Sequence, residues 1–146
     1  MKEKLSLLMI VIFLSVFISC SQNNHENAVP TSTAKHELKI MKIGGIWKVV
    51  NETDTTKKKV VAQRNDTIIW TAEGTDAYFQ FPDSIFKPIG PHDSLQNGYT
   101  KFLRNEKKLS LKIKMNAPLK TYIYAVFCIA DSTYAQGDSP PKIILK

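Results

Sequence analysis

The chain has 146 residues, of which 43% are hydrophobic, 23% charged and 10% aromatic, and its formal net charge is +7. Such a composition fits one globular domain and excludes a disordered or fibrous chain, a solenoid and a large multidomain enzyme. Apart from Lys57, Lys58 and Lys59 and the group Arg104, Lys107 and Lys108, the basic residues are scattered, so nucleic acid is not an expected partner.

At the N-terminus, Lys2 and Lys4 precede an almost purely apolar run from Leu5 to Ile18. This is the pattern of an export signal, and it falls short of the roughly 20 residues that cross a bilayer as a helix. The run ends in Phe17, Ile18, Ser19 and Cys20, which resembles the lipobox of bacterial lipoproteins, with Phe17 the one departure. The resemblance implies a signal peptide over 1–19, cleavage before Cys20, and acyl chains on Cys20 that make the membrane a partner through the lipid. With Cys20 so used, Cys128 has no intramolecular partner, and no structural disulfide is expected.

Residues 20–36 are rich in Asn, Gln, Ser, Thr and Pro, too polar to offset their ordering entropy, and read as a linker. A single domain over 37–146 follows, in which the apolar period switches to two. Trp47 and Val49 alternate with Lys48, and Val60 to Gln63 resumes after a polar turn, which predicts a hairpin. Thr67 to Thr71 is a strand with Ile68 and Trp70 on one face, and Tyr78 to Phe81 is a short aromatic strand ended by Pro82. Leu109, Leu111, Ile113 and Met115 alternate with polar residues, and Tyr122 to Ile129, apolar on both faces, predicts a central strand. Lys142 to Leu145 is the last strand, while Ser84 to Phe86 and Ala130 to Gln136 have room for a helical turn each. The fold class is all-β, an antiparallel β-sandwich or Greek-key barrel.

Two of these strands carry a family resemblance. Asn65, Asp66, Thr67, Ile68, Ile69 and Trp70 are similar to the GDxVxW strand of cupredoxins, and Thr121 to Cys128 is similar to their GxYxYxC strand. A cupredoxin-like sandwich is implied from about Ile46 to Lys146. The family's copper site takes two His, a Cys and a weak axial Met. Cys128 matches the cysteine, but Asp76 to Phe79 holds no His and Ile129 to Lys146 holds neither His nor Met, so neither metal nor cofactor is expected. Cys128 then reads as a small apolar filler. The alternative is a copper-handling or redox protein that recruits Cys128 and His92.

Catalytic patterns are not apparent. His92 lies in Pro91, His92, Asp93, Ser94, but a triad needs side chains converging from separate segments, and no GxSxG, HExxH or P-loop pattern occurs. The expectation is a non-enzymatic lipoprotein of a Gram-negative cell envelope, at the outer membrane and facing the periplasm or the surface, that binds a protein or glycan partner. Tyr78, Phe79, Phe81 and Phe86 are the residues expected to line a shallow aromatic cleft for it.

Covalent decoration is the last expectation. Five of the seven aspartates, Asp54, Asp66, Asp83, Asp93 and Asp131, are followed by Ser or Thr and then by Thr, Ile or Leu. The triplet resembles the acceptor of a general O-glycosylation system of one group of Gram-negative bacteria. It implies glycans at some of Thr55, Thr67, Ser84, Ser94 and Ser132, even though Asp and Ser or Thr also share turns for their backbone hydrogen bonding.

Overall fold

The structure is a computed structural model that describes residues 33–136 and 140–146. The expected signal peptide, Cys20 and most of the linker lie outside these residues. Twelve strands follow in chain order: β1 (Lys35–Ile43), β2 (Ile46–Asn51), β3 (Lys59–Ala62), β4 (Thr67–Ala72), β5 (Ala77–Gln80) and β6 (Phe86–Pro88), then β7 (Thr100–Leu103), β8 (Lys108–Ile113), β9 (Thr121–Ile123), β10 (Ala125–Cys128), β11 (Thr133–Tyr134) and β12 (Lys142–Leu145). The class is all-β, as the period-two alternation requires. β1 opens at Lys35, so the last two residues read as linker already belong to the sheet.

One layer is the five-stranded sheet β2-β1-β4-β8-β6. The other is made of β11-β10-β5-β7 and β3-β12-β9. These two sheets are joined because the run 121–128 is one path bent at Tyr124: β9 pairs with β12, β10 with β5. Tyr124 N–H donates to Pro141 O at 3.1 Å, which continues the β9–β12 register to the bend. The expected central strand is thus divided between two sheets, and Ile123 and Ile129 on its outer side are exposed.

The expected hairpin of Trp47–Val49 with Val60–Gln63 does not form. β2 folds back on β1 through Gly44 and Gly45, whose φ of 61° and 82° suit the tight primed turn of a two-residue hairpin. β3 instead runs parallel to β12, β1 runs parallel to β4, and Gln136 bridges Lys48 in parallel, while the other pairings between these strands are antiparallel. Neither expected helical turn is present: Phe86 begins β6, and Ala130 to Gln136 forms a turn and β11.

The inward faces make one core around Trp70, whose ring meets Phe79, Phe81, Phe86 and Tyr124 at centroid distances of 5.6 to 5.9 Å. Such pairs contribute about 0.5–1.5 kcal/mol each beyond area burial. Trp70 Nε1–H donates to Tyr124 Oη at 3.1 Å, which satisfies the buried indole. Tyr122 Oη–H donates to Pro118 O at 2.6 Å and pins the turn between β8 and β9.

Candidate functional site

The outer face of the four-stranded sheet carries the feature that the core does not account for. β5 alternates buried and exposed residues, so Ala77 and Phe79 point inward and Tyr78 and Gln80 outward. Register places Tyr78 opposite Phe102 of β7 on one side and Phe127 of β10 on the other, and Phe127 opposite Tyr134 of β11. Four aromatic residues, Phe102, Tyr78, Phe127 and Tyr134, therefore stand in one row across four adjacent strands. With strands spaced about 4.8 Å apart, the row is on the order of 14 Å long. Tyr78, Phe102 and Tyr134 are 38%, 47% and 62% exposed, and Phe127 is half-buried against Tyr134, with centroids 5.2 Å apart and an edge-on tilt of 72°. Beside the row, Tyr78, Gln80, Ala125, Phe127, Ile129 and Tyr134 line a shallow cleft of about 340 Å³. Among the described residues its lining has no charged side chain, and the Gln80 amide and two phenols supply its polar side-chain groups.

The short strand β11 is held in place from several directions. Ala135 N–H donates to Val126 O at 2.8 Å, and Gln136 exchanges backbone hydrogen bonds with Trp47 and Val49. In the preceding turn, the Asp131 carboxylate accepts from Lys42 Nζ at 2.6 Å and from Trp47 Nε1 at 2.8 Å. These donors, Lys42 foremost, hold the Asp131 carboxyl below its ordinary range. Ala130 N–H donates to Thr75 Oγ1 at 3.1 Å, and Ile129 N–H to Asp76 O at 3.0 Å. Tyr134 is thus presented on a braced turn.

Of the aromatic residues expected to line the cleft, Tyr78 alone does so. Phe79, Phe81 and Phe86 are 0%, 2% and 4% exposed and pack on Trp70, because period two turns them to the core face. Phe102, Phe127 and Tyr134 were not expected here. In the sequence Phe127 reads as part of a strand apolar on both faces, and β7 and β11, with four and two residues, are too short to establish a period.

Cys128 is fully buried at the end of β10. Burial, with a smaller contribution from Asp131, pushes its thiol up to about 11, so the thiol is neutral at physiological pH. His92 is an exposed loop residue whose backbone carbonyl accepts from Lys101 Nζ. His36 Nε2 lies 3.0 Å from Asp66 Oδ2. Among the described residues, no three or more His, Cys, Asp or Glu side chains are gathered as a metal would need. The donor set that the described residues offer to copper is a buried neutral thiol outside any cluster of three or more His, Cys, Asp or Glu, a poor fit to a His₂Cys centre.

The hydroxyl-bearing residues of the Asp triplets are spread over the surface. Thr55, Ser84, Ser94 and Ser132 are exposed, whereas Thr67 opens β4 and is half-buried. The aspartates before them have structural partners: Asp54 accepts from Thr56 N–H and Oγ1, Asp66 from Gln63 N–H, and Asp93 from Gly90 and Ser110 N–H groups, while Asp83 pairs with Lys120.

No family model matches the chain, and no curated protein matches it. The chain is similar in fold to solved structures of amicyanin variants. The reduced form of a tryptophan-to-tyrosine variant is 13% identical with a TM-score of 0.44, over 79% of this chain and 85% of that one. The Cu(I) form of a methionine-to-alanine variant is 14% identical with a TM-score of 0.43, over 77% and 82%.

Proposed function

We propose that the chain is an exported lipoprotein, lipidated at Cys20, whose cupredoxin-like domain holds no copper and binds a protein or glycan partner at a Gram-negative cell envelope. The observation that carries the binding reading is the row Phe102, Tyr78, Phe127 and Tyr134, an uncharged aromatic strip left in water on a braced sheet. Exposed contiguous apolar surface of this kind marks interaction sites, and Tyr and Phe supply large contact area at little cost in side-chain freedom. Sugar C–H faces and apolar protein side chains both suit such a surface. Binding is favoured over catalysis because, among the described residues, the cleft offers contact area, one amide and two phenols but no carboxylate, imidazole, amine or thiol to activate them. Copper is left out because Cys128 stays protonated and buried, Asp76 to Phe79 holds no His, and Ile129 to Lys146 holds neither His nor Met.

Glycans on Thr55, Ser84, Ser94 and Ser132 belong to the same reading, since these hydroxyl-bearing residues are exposed; Thr67, set in a strand, is the least open of the five. One pair of measurements tests anchor and decoration. Fatty-acid labelling in the native host should tag the protein and be lost, with membrane retention, in Cys20→Ala. Intact mass of the native protein should exceed polypeptide plus lipid by glycan increments. A labelled, membrane-bound Cys20→Ala protein would sink the anchor, and a mass without increments would remove the glycans.

A further inference from the structure

One end of the sandwich gathers positive charge at the place where the chain enters the fold. Lys35 opens β1 opposite Thr67, Thr67 lies opposite Lys112 on β8, and Lys112 lies opposite Lys87 on β6. This is a single register row across four strands. Arg64, in the turn between β3 and β4 at the same end, donates from Nε to Ala117 O at 2.9 Å, which leaves its terminal nitrogens for other partners. Glu37, exposed on the same face of β1 as Lys35, stands opposite Ile69 in the next row and forms no ion pair with the lysines, and the other acids nearby are engaged. Asp66 is 2% exposed and accepts from Ala34 N–H, Gln63 N–H and His36, and Asp83 pairs with Lys120 at 2.9 Å. Among the described residues, none of Lys35, Lys87 and Lys112 pairs with a carboxylate.

Directly opposed like charges destabilise a strand pair, yet Lys87 and Lys112 face each other with no acid between them. A local rule broken without internal compensation points to compensation from outside the fold. The position of the row says what supplies it. Lys35 is 15 residues after Cys20, a length of chain that spans at most about 50 Å. The geometry points to a membrane-docking surface: Lys35, Arg64, Lys87 and Lys112 rest on lipid phosphates beside the anchor. The inference rests on the anchored reading above. The attraction acts within about a Debye length, some 8 Å at physiological salt, so the tether supplies proximity and the lysines supply orientation.

Lysine-by-lysine reactivity tests this with the full-length lipidated protein in vesicles and a membrane-impermeant amine reagent read by mass spectrometry. Lys35, Lys87 and Lys112 should label several-fold more slowly in vesicles of roughly one-third phosphatidylglycerol than in pure phosphatidylcholine. They should recover in about 1 M sodium chloride, where the Debye length is near 3 Å. Lys107 and Lys108, at the opposite end of β8, should be unaffected. Equal labelling in the two vesicles overturns the docking surface. The same slowing by inorganic phosphate in neutral vesicles overturns the lipid in favour of a soluble anion. A protein that floats with anionic vesicles but not with neutral ones keeps the docking surface and removes the anchor; one that floats with neither removes both.

Discussion

At the scale of single residues, two buried polar groups set testable conditions on the fold. Trp70 Nε1–H has Tyr124 Oη as its partner inside an otherwise aromatic core, and burial holds the Tyr124 phenol protonated far above its ordinary range. In Tyr124→Phe the ring packing survives while the indole donor loses its acceptor, which should cost about 1–3 kcal/mol. Urea unfolding reads this directly, and an unchanged midpoint would contradict the role given to the bond. Cys128 supplies a pH condition. Its folded value of about 11 exceeds the ordinary 9.0, so the neutral thiol favours the folded state and that contribution is intact below pH 9.0. It is lost as pH rises from 9.0 to about 11, because the unfolded chain ionises first. Near neutral pH the folded protein should resist iodoacetamide and react once denatured; rapid alkylation of the native protein would mean that the thiol is open.

At the scale of elements, the Asp66 carboxylate joins strands that sequence order keeps apart. It accepts from Gln63 N–H at 2.8 Å, across the turn in which Asn65 adopts a φ of 73°, and from Ala34 N–H at 3.1 Å. It thereby clamps the start of β1 to the start of β4. Asp66→Ala leaves two backbone donors without their acceptor, about 1–3 kcal/mol for each that stays dry. Hydrogen exchange of the first β1 amides should quicken more than that of β8, and uniform exchange would refute the clamp. The long alternation of β8 and the inward Trp70 of β4 were legible in the sequence because period two is a local property. Partners were not legible. The parallel pairs β1 with β4 and β3 with β12 join strands far apart in the chain, and no residue pattern within β3 prefers β12 to β2. The same limit hid the site. Alternation alone separates Tyr78 from Phe79, but only register places Tyr78 between Phe102 and Phe127, and only the turn braced by Asp131 adds Tyr134.

At the scale of the molecule, the two layers show different outer surfaces. The five-stranded layer presents Lys35, Lys87, Lys108 and Lys112, and the four-stranded layer presents the aromatic row. The net charge of +7 is therefore distributed by the fold, and none of the described residues lining the aromatic cleft is charged. A tethered domain with a basic end against lipid would hold that cleft at a fixed attitude to its surroundings. The central claim, that the row is occupied in the envelope, is tested most directly by comparing hydroxyl-radical oxidation in intact cells with that of the purified full-length protein. Tyr78, Phe102 and Tyr134 should oxidise several-fold more slowly in cells, with Ile46 and Val61, which are 44% and 47% exposed and lie outside the row, as references. Equal oxidation of the three aromatics in both settings, relative to those references, would contradict the account.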